Sequence, residues 1–454
     1  MNPTHSMTQT TSSPRLAPGP NALGALNYGL GFVRDPFAVL HGATDKYGPI
    51  VRFGTGKNCL HIIYHPKHVQ RVLIDNNKNY EKHSPYAMMQ MIFGKGLLFN
   101  EGPSWFSQRR LMQPTFQPKQ FSTMADNVSD AISTAVDSWP HHDGKKTDIE
   151  RDMVILARRI IGEILFGAEL TPELKGVLDA TDTSKANFFL GNLKGTPQSI
   201  LYKALKRRVD EVVYKLIAER RASKEQAPDL LSILMTAADK DTGEVMNDRQ
   251  LRDEIVTLLF SGFDTTSRTL SWTFHVLAQH PEIEAKVHAE VDEVLQGRAP
   301  RMPDLANLPY TQMVIKETMR VYPPNAVIGR RAKADDELDG YFIPAGSMLT
   351  ISPYLAQRDP ELWENPLTII PERFSPENEP NIGKFDYYPF GGGPRQCIGK
   401  GIAMMTIPLA VATVAQRYRF KAVPGFELKG DIKVTFQSRS GIPATRHLRP
   451  SYSA

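Results

Sequence analysis

"FGGGPRQCIG", residues 390–399, presents a single cysteine on a run of glycines. Gly391, Gly392 and Gly393 allow positive φ angles and close approach of the backbone to a bulky partner. Pro394 stiffens the loop, and Arg395 stands two residues before the sulfur, where it can meet an anion. The following "IGKGIAMMTIPLAVATVAQRY" reads as an apolar helix. Cys397 therefore lies near a helix N-terminus, whose dipole and free N–H groups favour a thiolate. Such a thiolate suits a metal ligand or a nucleophile. A buried core cysteine is the commonest fate of the residue type, but it does not call for this loop composition. A phosphate cradle fails on spacing: Pro394 stands where glycine is needed, and Gly401 where Ser or Thr is needed. The dinucleotide fingerprint fails for want of a strand–turn–helix unit with glycines at its offsets. A nucleophile served by a histidine that the fold brings to it stays an alternative.

Composition narrows the field further. Cys59 and Cys397 are the only 2 cysteines in 454 residues. They cannot make a disulfide framework or a four-cysteine zinc or iron–sulfur site, and their scarcity fits a reducing compartment. Hydrophobic residues make up 41% and charged residues 23%, ordinary for a soluble globular protein. The net charge of +5 is mild, and no dense Lys/Arg stripe with interleaved aromatics points to nucleic acid. The opening "MNPTHSMTQTTSSPRLAPGP" is polar and Ser/Thr/Pro-rich, so residues 1–20 are expected to be a disordered tail. It lacks a signal peptide's apolar core. "NALGALNYGLGFV" is too short and interrupted to cross a bilayer, which takes about 20 apolar residues. A cytoplasmic protein without a transmembrane anchor is expected, with residues 21–454 as one domain.

Periodicity predicts a mainly α chain with small β-sheets. "DPFAVLHGATDKYG" reads as a helix with Asp35 as N-cap, Pro36 in the first turn and Gly48 at the end. "PIVRFGTGKNCLHIIYHP" reads as a hairpin, and residues 330–352 as further short strands. From about 120 to 300 apolar residues recur at helical spacing, as in "DIERDMVILARRIIGEILFG". "NDRQLRDEIVTLLFSGFDTTSRTLSWTFHVLAQHP" predicts one helix of about 48 Å, capped by Asp248, closed by Pro281 and buried on several faces. Gly, Asp and two Thr in its middle are poor choices for a buried helix. Something other than helix stability selects "SGFDTT".

With these stretches in place, the chain resembles the cytochrome P450 family. The family's haem-binding signature, Phe-x-x-Gly-x-Arg-x-Cys-x-Gly, is filled by Phe390, Gly393, Arg395, Cys397 and Gly399. "ETMR" (Glu317 to Arg320) matches Glu-x-x-Arg, and "PERF" supplies Arg373, the third member of that group. "SGFDTT" matches the distal-helix motif, and "WFSQR" matches a Trp-x-x-x-Arg that meets the haem in many members. The resemblance spans about residues 20 to 450. It implies a cytochrome P450 fold with a long distal helix over haem b, iron protoporphyrin IX, held axially by Cys397. A cysteine thiolate gives the iron electron density that favours O–O cleavage, and the glycines are expected to lay the loop flat against the porphyrin.

The resemblance also distributes roles. Glu317, Arg320 and Arg373 are expected to lock the cysteine loop; taken alone such a pair is more often a surface salt bridge. Asp264 and Thr265 are implied as the proton relay on the distal side, with Gly262 leaving room for oxygen and substrate. The plainer alternative is a threonine satisfied by its own helix, which it can also loosen. Trp105, Arg109, Arg330 and Arg395 are candidates for the haem propionates. Substrate contacts are expected from Met88, Met89, Leu258, Ser261, Ala326, Val327 and Ile442, and from "NFFLGNLKG"; their apolar character implies a lipophilic substrate. Ser261 stands where the family usually has Ala or Gly. Ile402 and Thr406 replace a Phe and a Glu, and Pro408 predicts a kink in the proximal helix. No flavin or nicotinamide domain follows, so electrons are expected from a separate ferredoxin or flavodoxin with its reductase. Arg109, Arg110 and Lys400 are candidates for its docking patch. The function implied is a monooxygenase that activates dioxygen and hydroxylates or epoxidises a lipophilic small molecule such as a terpenoid, fatty acid, steroid or other natural product. The alternatives are a peroxide-using or rearranging relative, or a haem-based sensor or binding protein.

Overall fold

A computed structural model describes residues 15–55, 59–82, 86–140, 143–181, 197–223, 227–239 and 242–450. Helices dominate and small sheets lie at the margins. Through the middle runs the central helix, Asp248–Gln279, buried along most of its length. Its cap is Asn247, whose side chain accepts the Gln250 N–H, and Asp248 is the first helical residue instead. The helix is continuous across Ser261–Thr266, so Thr265 does not loosen it. A second helix, Ile149–Phe166, crosses it, capped by Asp148 and ended by Gly167 in the left-handed region at φ 64°. Gly262 sits at that crossing. A Cβ there would lie 2.4 Å from Ile161 Cδ1, so its smallness serves the close approach of two helices.

Near the N-terminus, Asp35 caps Pro36–Tyr47 and Gly48 ends it at φ 95°, as the sequence predicts. Ile50–Phe53 and Leu60–Ile63 form the expected antiparallel hairpin. The second strand then pairs in parallel with Met348–Ile351. Ile328–Ala332 and Tyr80–Glu81 complete this five-stranded sheet. Order begins earlier than residue 21: Leu16 bridges Phe342 of the hairpin Asp336–Ile343, the Pro18 carbonyl accepts the Arg52 N–H at 2.8 Å, and Ala17 is buried between them. Residues 1–14 lie outside the described residues. The helix Ala22–Arg34 turns Gly31 toward Val39 and leaves Leu23, Leu26, Leu30 and Val33 in solvent.

The cysteine helix, Lys400–Arg417, follows the glycine loop and remains one helix through Pro408. A short hairpin, Gly430–Ile432 with Phe436–Ser438, then returns to the central helix. Trp272 Nε1 donates to the Phe436 carbonyl at 3.1 Å, and the Phe436 N–H donates to the Pro324 carbonyl at 2.8 Å.

Candidate active site

The glycine loop has the predicted backbone, and close protein contacts add a second demand for glycine. Gly391 and Gly393 have φ angles of 69° and 68°, which favour glycine. A Cβ on Gly393 would lie 1.9 Å from the Leu73 carbonyl oxygen, and one on Gly392 would lie 2.6 Å from the Phe385 ring. Gly392 and Gly393 are pressed against protein, and Gly391, Gly392 and Gly399 border the cavity. Cys397 is open only to that cavity, with protein enclosing it otherwise. Its N–H donates to the Phe390 carbonyl at 3.0 Å. Burial pushes its thiol upward, while the N–H groups of Gly399 and Lys400 and the nearby Arg109 pull it down. An anionic sulfur has donors already aimed at it.

Behind the loop, Glu317 and Arg320 are fully buried. Arg320 makes a fork of bonds to the carboxylate at 2.7 and 2.8 Å. Arg373 approaches the same carboxylate at 3.5 Å. The pair also gathers backbone: Arg320 donates to the carbonyls of Gln357 and Pro366 at 2.7 Å each, and Glu317 accepts the Ile370 N–H at 2.9 Å. Gln357 passes the arrangement on, accepting the Tyr388 N–H at 3.0 Å; the Tyr388 carbonyl accepts the Gly391 N–H at 2.9 Å. An unbroken chain of hydrogen bonds thus links the trio to the cysteine loop.

Asp264 and Thr265 border the same cavity as Cys397. Thr265 donates to the Ser261 carbonyl at 2.8 Å, which leaves its oxygen free to accept. Asp264 is held on both sides, by Arg268 at 3.2 Å and Thr435 at 2.8 Å. Arg268 also pairs with Glu150 of the crossing helix.

Apolar side chains make up most of the wall. Of the expected substrate contacts, Leu258, Ser261 and Val327 border the cavity. Ala326 does not: it is buried the other way, with its carbonyl taking the Ser352 hydroxyl. Ile442 does not either, because Asp148 accepts its N–H at 2.9 Å and holds that turn away; Val434 and Thr435 take its place. The side chains of Met88 and Met89, and the stretch "NFFLGNLKG", lie outside the described residues. Ile161 and Leu165 were hidden in an apolar stripe indistinguishable from core. Leu97 and Leu98 are held there by a clamp that sequence reading missed. Arg252 donates to the Ile92 carbonyl at 2.6 Å. Asp253 and Glu254 accept the N–H groups of Lys95 and Leu97 at 2.8 Å each. A Cβ on Gly96 would lie 2.1 Å from the Thr257 hydroxyl, so the loop needs a glycine to reach the helix. Glu254 is buried, and burial pushes its carboxyl up to about 8.

One end of the cavity is cationic. Arg109, Arg330 and Arg395 border it together with Trp105, and Arg395 lies 3.6 Å above the Trp105 ring. Glu101 pairs with Arg395 at 2.5 Å. Lys82, for which no sequence motif speaks, joins them and donates to the Leu98 carbonyl at 2.6 Å. Burial, then Arg395 and Arg330, push its ammonium down to about 7. A cavity with a lone sulfur, apolar walls and clustered cations fits a flat, apolar group that carries carboxylates at one edge. Haem b is such a group. The docking patch is altered: Arg109 is turned inward to the Gln396 carbonyl, while Arg110, paired with Asp239, and Lys400 stay exposed.

Comparison with known proteins agrees with this geometry. A family model described as Cytochrome P450 matches residues 17–435. The chain is 32% identical over 418 residues to cyclooctat-9-en-7-ol 5-monooxygenase of Streptomyces melanosporofaciens, covering 90% of each chain. It is 30% identical over 433 residues to pentalenene oxygenase of Streptomyces avermitilis, covering 93% of this chain and 95% of that one. Among solved structures, the haem domain of cytochrome P450DA superposes with a TM-score of 0.86 at 24% identity, covering 97% and 99%. A cyanobacterial relative with retinoic acid bound gives 0.84 at 22%, covering 96% and 100%. With the signature loop, the buried Glu–Arg pair and the distal Asp–Thr all meeting at or behind one cavity, the chain belongs to the cytochrome P450 family and is a cytochrome P450 monooxygenase.

Proposed function

We propose that this enzyme binds haem b through Cys397 and inserts one oxygen atom of dioxygen into a C–H or C=C bond of a lipophilic substrate of terpenoid type. The other atom leaves as water, with two electrons from a separate ferredoxin or flavodoxin and its reductase. The observation that carries this reading is the placement of the Cys397 sulfur in one cavity with Asp264 and Thr265. Two relatives named as oxygenases of cyclic terpenoids, each covering most of the chain, support the substrate class. Bound haem supplies the iron at which dioxygen is reduced.

The chain's own residues do the rest. Cys397 offers a sulfur whose charge is stabilised by the Gly399 and Lys400 N–H groups. Lys82, Arg109, Arg330 and Arg395 offer cations to the haem carboxylates. Trp105 supports Arg395 by its ring face. Glu317, Arg320 and Arg373 hold the cysteine loop from behind. Asp264 passes protons to the Thr265 hydroxyl, which delivers them on the cavity side. Leu258, Val327 and the clamped Leu97 exclude water and orient an apolar ligand. No described helix is long and apolar enough to cross a membrane.

The test is spectroscopic. Haem-loaded protein is expected to give the reduced carbonyl spectrum of a thiolate haem, and Cys397→His is expected to convert it to that of a histidine-ligated one. A panel of cyclic terpene hydrocarbons and alcohols is then titrated, and some members are expected to shift the ferric spin state. An unchanged carbonyl spectrum in Cys397→His, or a panel without a single shift, overturns the proposal.

A further inference from the structure

Asp264 carries a carboxylate whose two oxygens are claimed by different parts of the fold. Oδ1 accepts from Arg268, one turn along the same helix, and Arg268 is anchored in turn by Glu150. Oδ2 accepts the Thr435 hydroxyl at 2.8 Å, from a residue 171 positions away in sequence. A carboxylate's terminal torsion is broad and nearly two-fold, so one donor leaves its plane free to swing. Two donors from opposite sides fix it.

Thr435 is well placed to be the fixed point. It is buried in the turn of the C-terminal hairpin, directly before Phe436. Phe436 is fastened in both directions, to Trp272 of the central helix and to the Pro324 carbonyl. Val434 and Thr435 also border the cavity. The same short turn therefore touches whatever fills the cavity and holds the carboxylate beside it. The two bonds differ in kind. Arg268 presents a full charge already shared with Glu150. Thr435 presents a neutral hydroxyl, the weaker and more readily released partner.

We propose that Thr435 is a positioning residue for the distal proton relay: its hydroxyl sets the orientation of the Asp264 carboxylate toward Thr265, and ligand packed against Val434 acts on the relay through it. The proposal rests on the reading of Asp264 and Thr265 as that relay. It concerns orientation only, and Thr435 itself touches no reacting atom.

The experiment uses haem-loaded enzyme with the tightest-binding hydrocarbon of the terpene panel. Thr435→Val keeps the shape and removes the hydroxyl; Thr435→Ser keeps the hydroxyl. In Thr435→Val the carbonyl spectrum is expected to stay intact and the spectral dissociation constant to stay within about threefold. Product formed per reductant consumed is expected to fall at least about fivefold, with peroxide released instead, and Thr435→Ser is expected to recover it to within about twofold. Normal coupling in Thr435→Val overturns the assignment. So does a serine variant as uncoupled as the valine one, or a loss of ligand affinity that accounts for the loss of coupling. If Thr265→Ala leaves coupling untouched, the relay reading itself has failed. If Thr265→Ala uncouples while Thr435→Val does not, only the role of Thr435 is lost.

Discussion

The proposed relay turns on a single hydroxyl, that of Thr265. It spends its hydrogen on the Ser261 carbonyl and keeps its lone pairs for the cavity. General acid catalysis by a positioned group contributes about 10²–10⁴-fold, so Thr265→Ala is expected to cut product per reductant by at least about tenfold. Measured ligand affinity should hold, because the side chain is small. Coupling that survives the change removes Thr265 from the relay. These residues were legible because they are neighbours in sequence: Cys397 with its loop and Asp264 with Thr265 each come from one helix or turn. Thr435 and Lys82 were not, since only tertiary topology brings them in. Ala326 was misread by a single position. Asn325, Val327 and Ile328 border the cavity while Ala326 is buried away from it.

At the scale of elements, the central helix binds its neighbours with buried polar and charged groups. Glu254 is a carboxyl kept protonated by its surroundings, up to about 8 against an ordinary 4.5. A group raised in this way contributes stability that is complete below the unfolded value and is lost as pH rises through the folded one. Melting temperature is therefore expected to fall between pH 5 and 8 by this route, as calorimetry can record, and Glu254→Gln is expected to flatten that fall. A slope identical in the variant removes Glu254 as its source. The Glu317–Arg320 pair makes a second case. Removing one partner of a buried ion pair costs about 3–5 kcal/mol, and here it also frees the backbone of residues 357–370. Glu317→Gln is expected to lose most of its haem on purification while helical content stays near wild type. Retention of full haem occupancy would make the trio dispensable to the loop. The charged pair was legible from its three-residue spacing. The backbone it gathers was not, because carbonyl partners leave no trace in side-chain identity.

For the whole molecule, the decisive fact is that an empty cavity would crowd cations. Lys82 has its ammonium pushed down to about 7 from 10.5. A depressed lysine contributes stability that is present above the unfolded value and lost as pH falls through the folded one. Haem-free protein is thus expected to gain melting temperature as pH rises from about 7 toward 10, and loading with the carboxylate-bearing haem should abolish the gain. Lys82→Met without haem should lack it too; a haem-free slope unaffected by Lys82→Met would sink this account. The overall architecture was readable from sequence because one long helix and one signature loop dictate it. Gly262 was assigned to the right place for an incomplete reason: the crossing helix, invisible in the motif, needs that space.

The seat of the glycine loop reaches across the chain. Gly393 lies against the carbonyl of Leu73, so the last motif to leave the ribosome closes onto a strip made near the beginning. Pigment capture must then await synthesis of almost the entire polypeptide. A lesion at Leu73 that bulges this strip outward should yield pale protein, although that residue borders no part of the cavity.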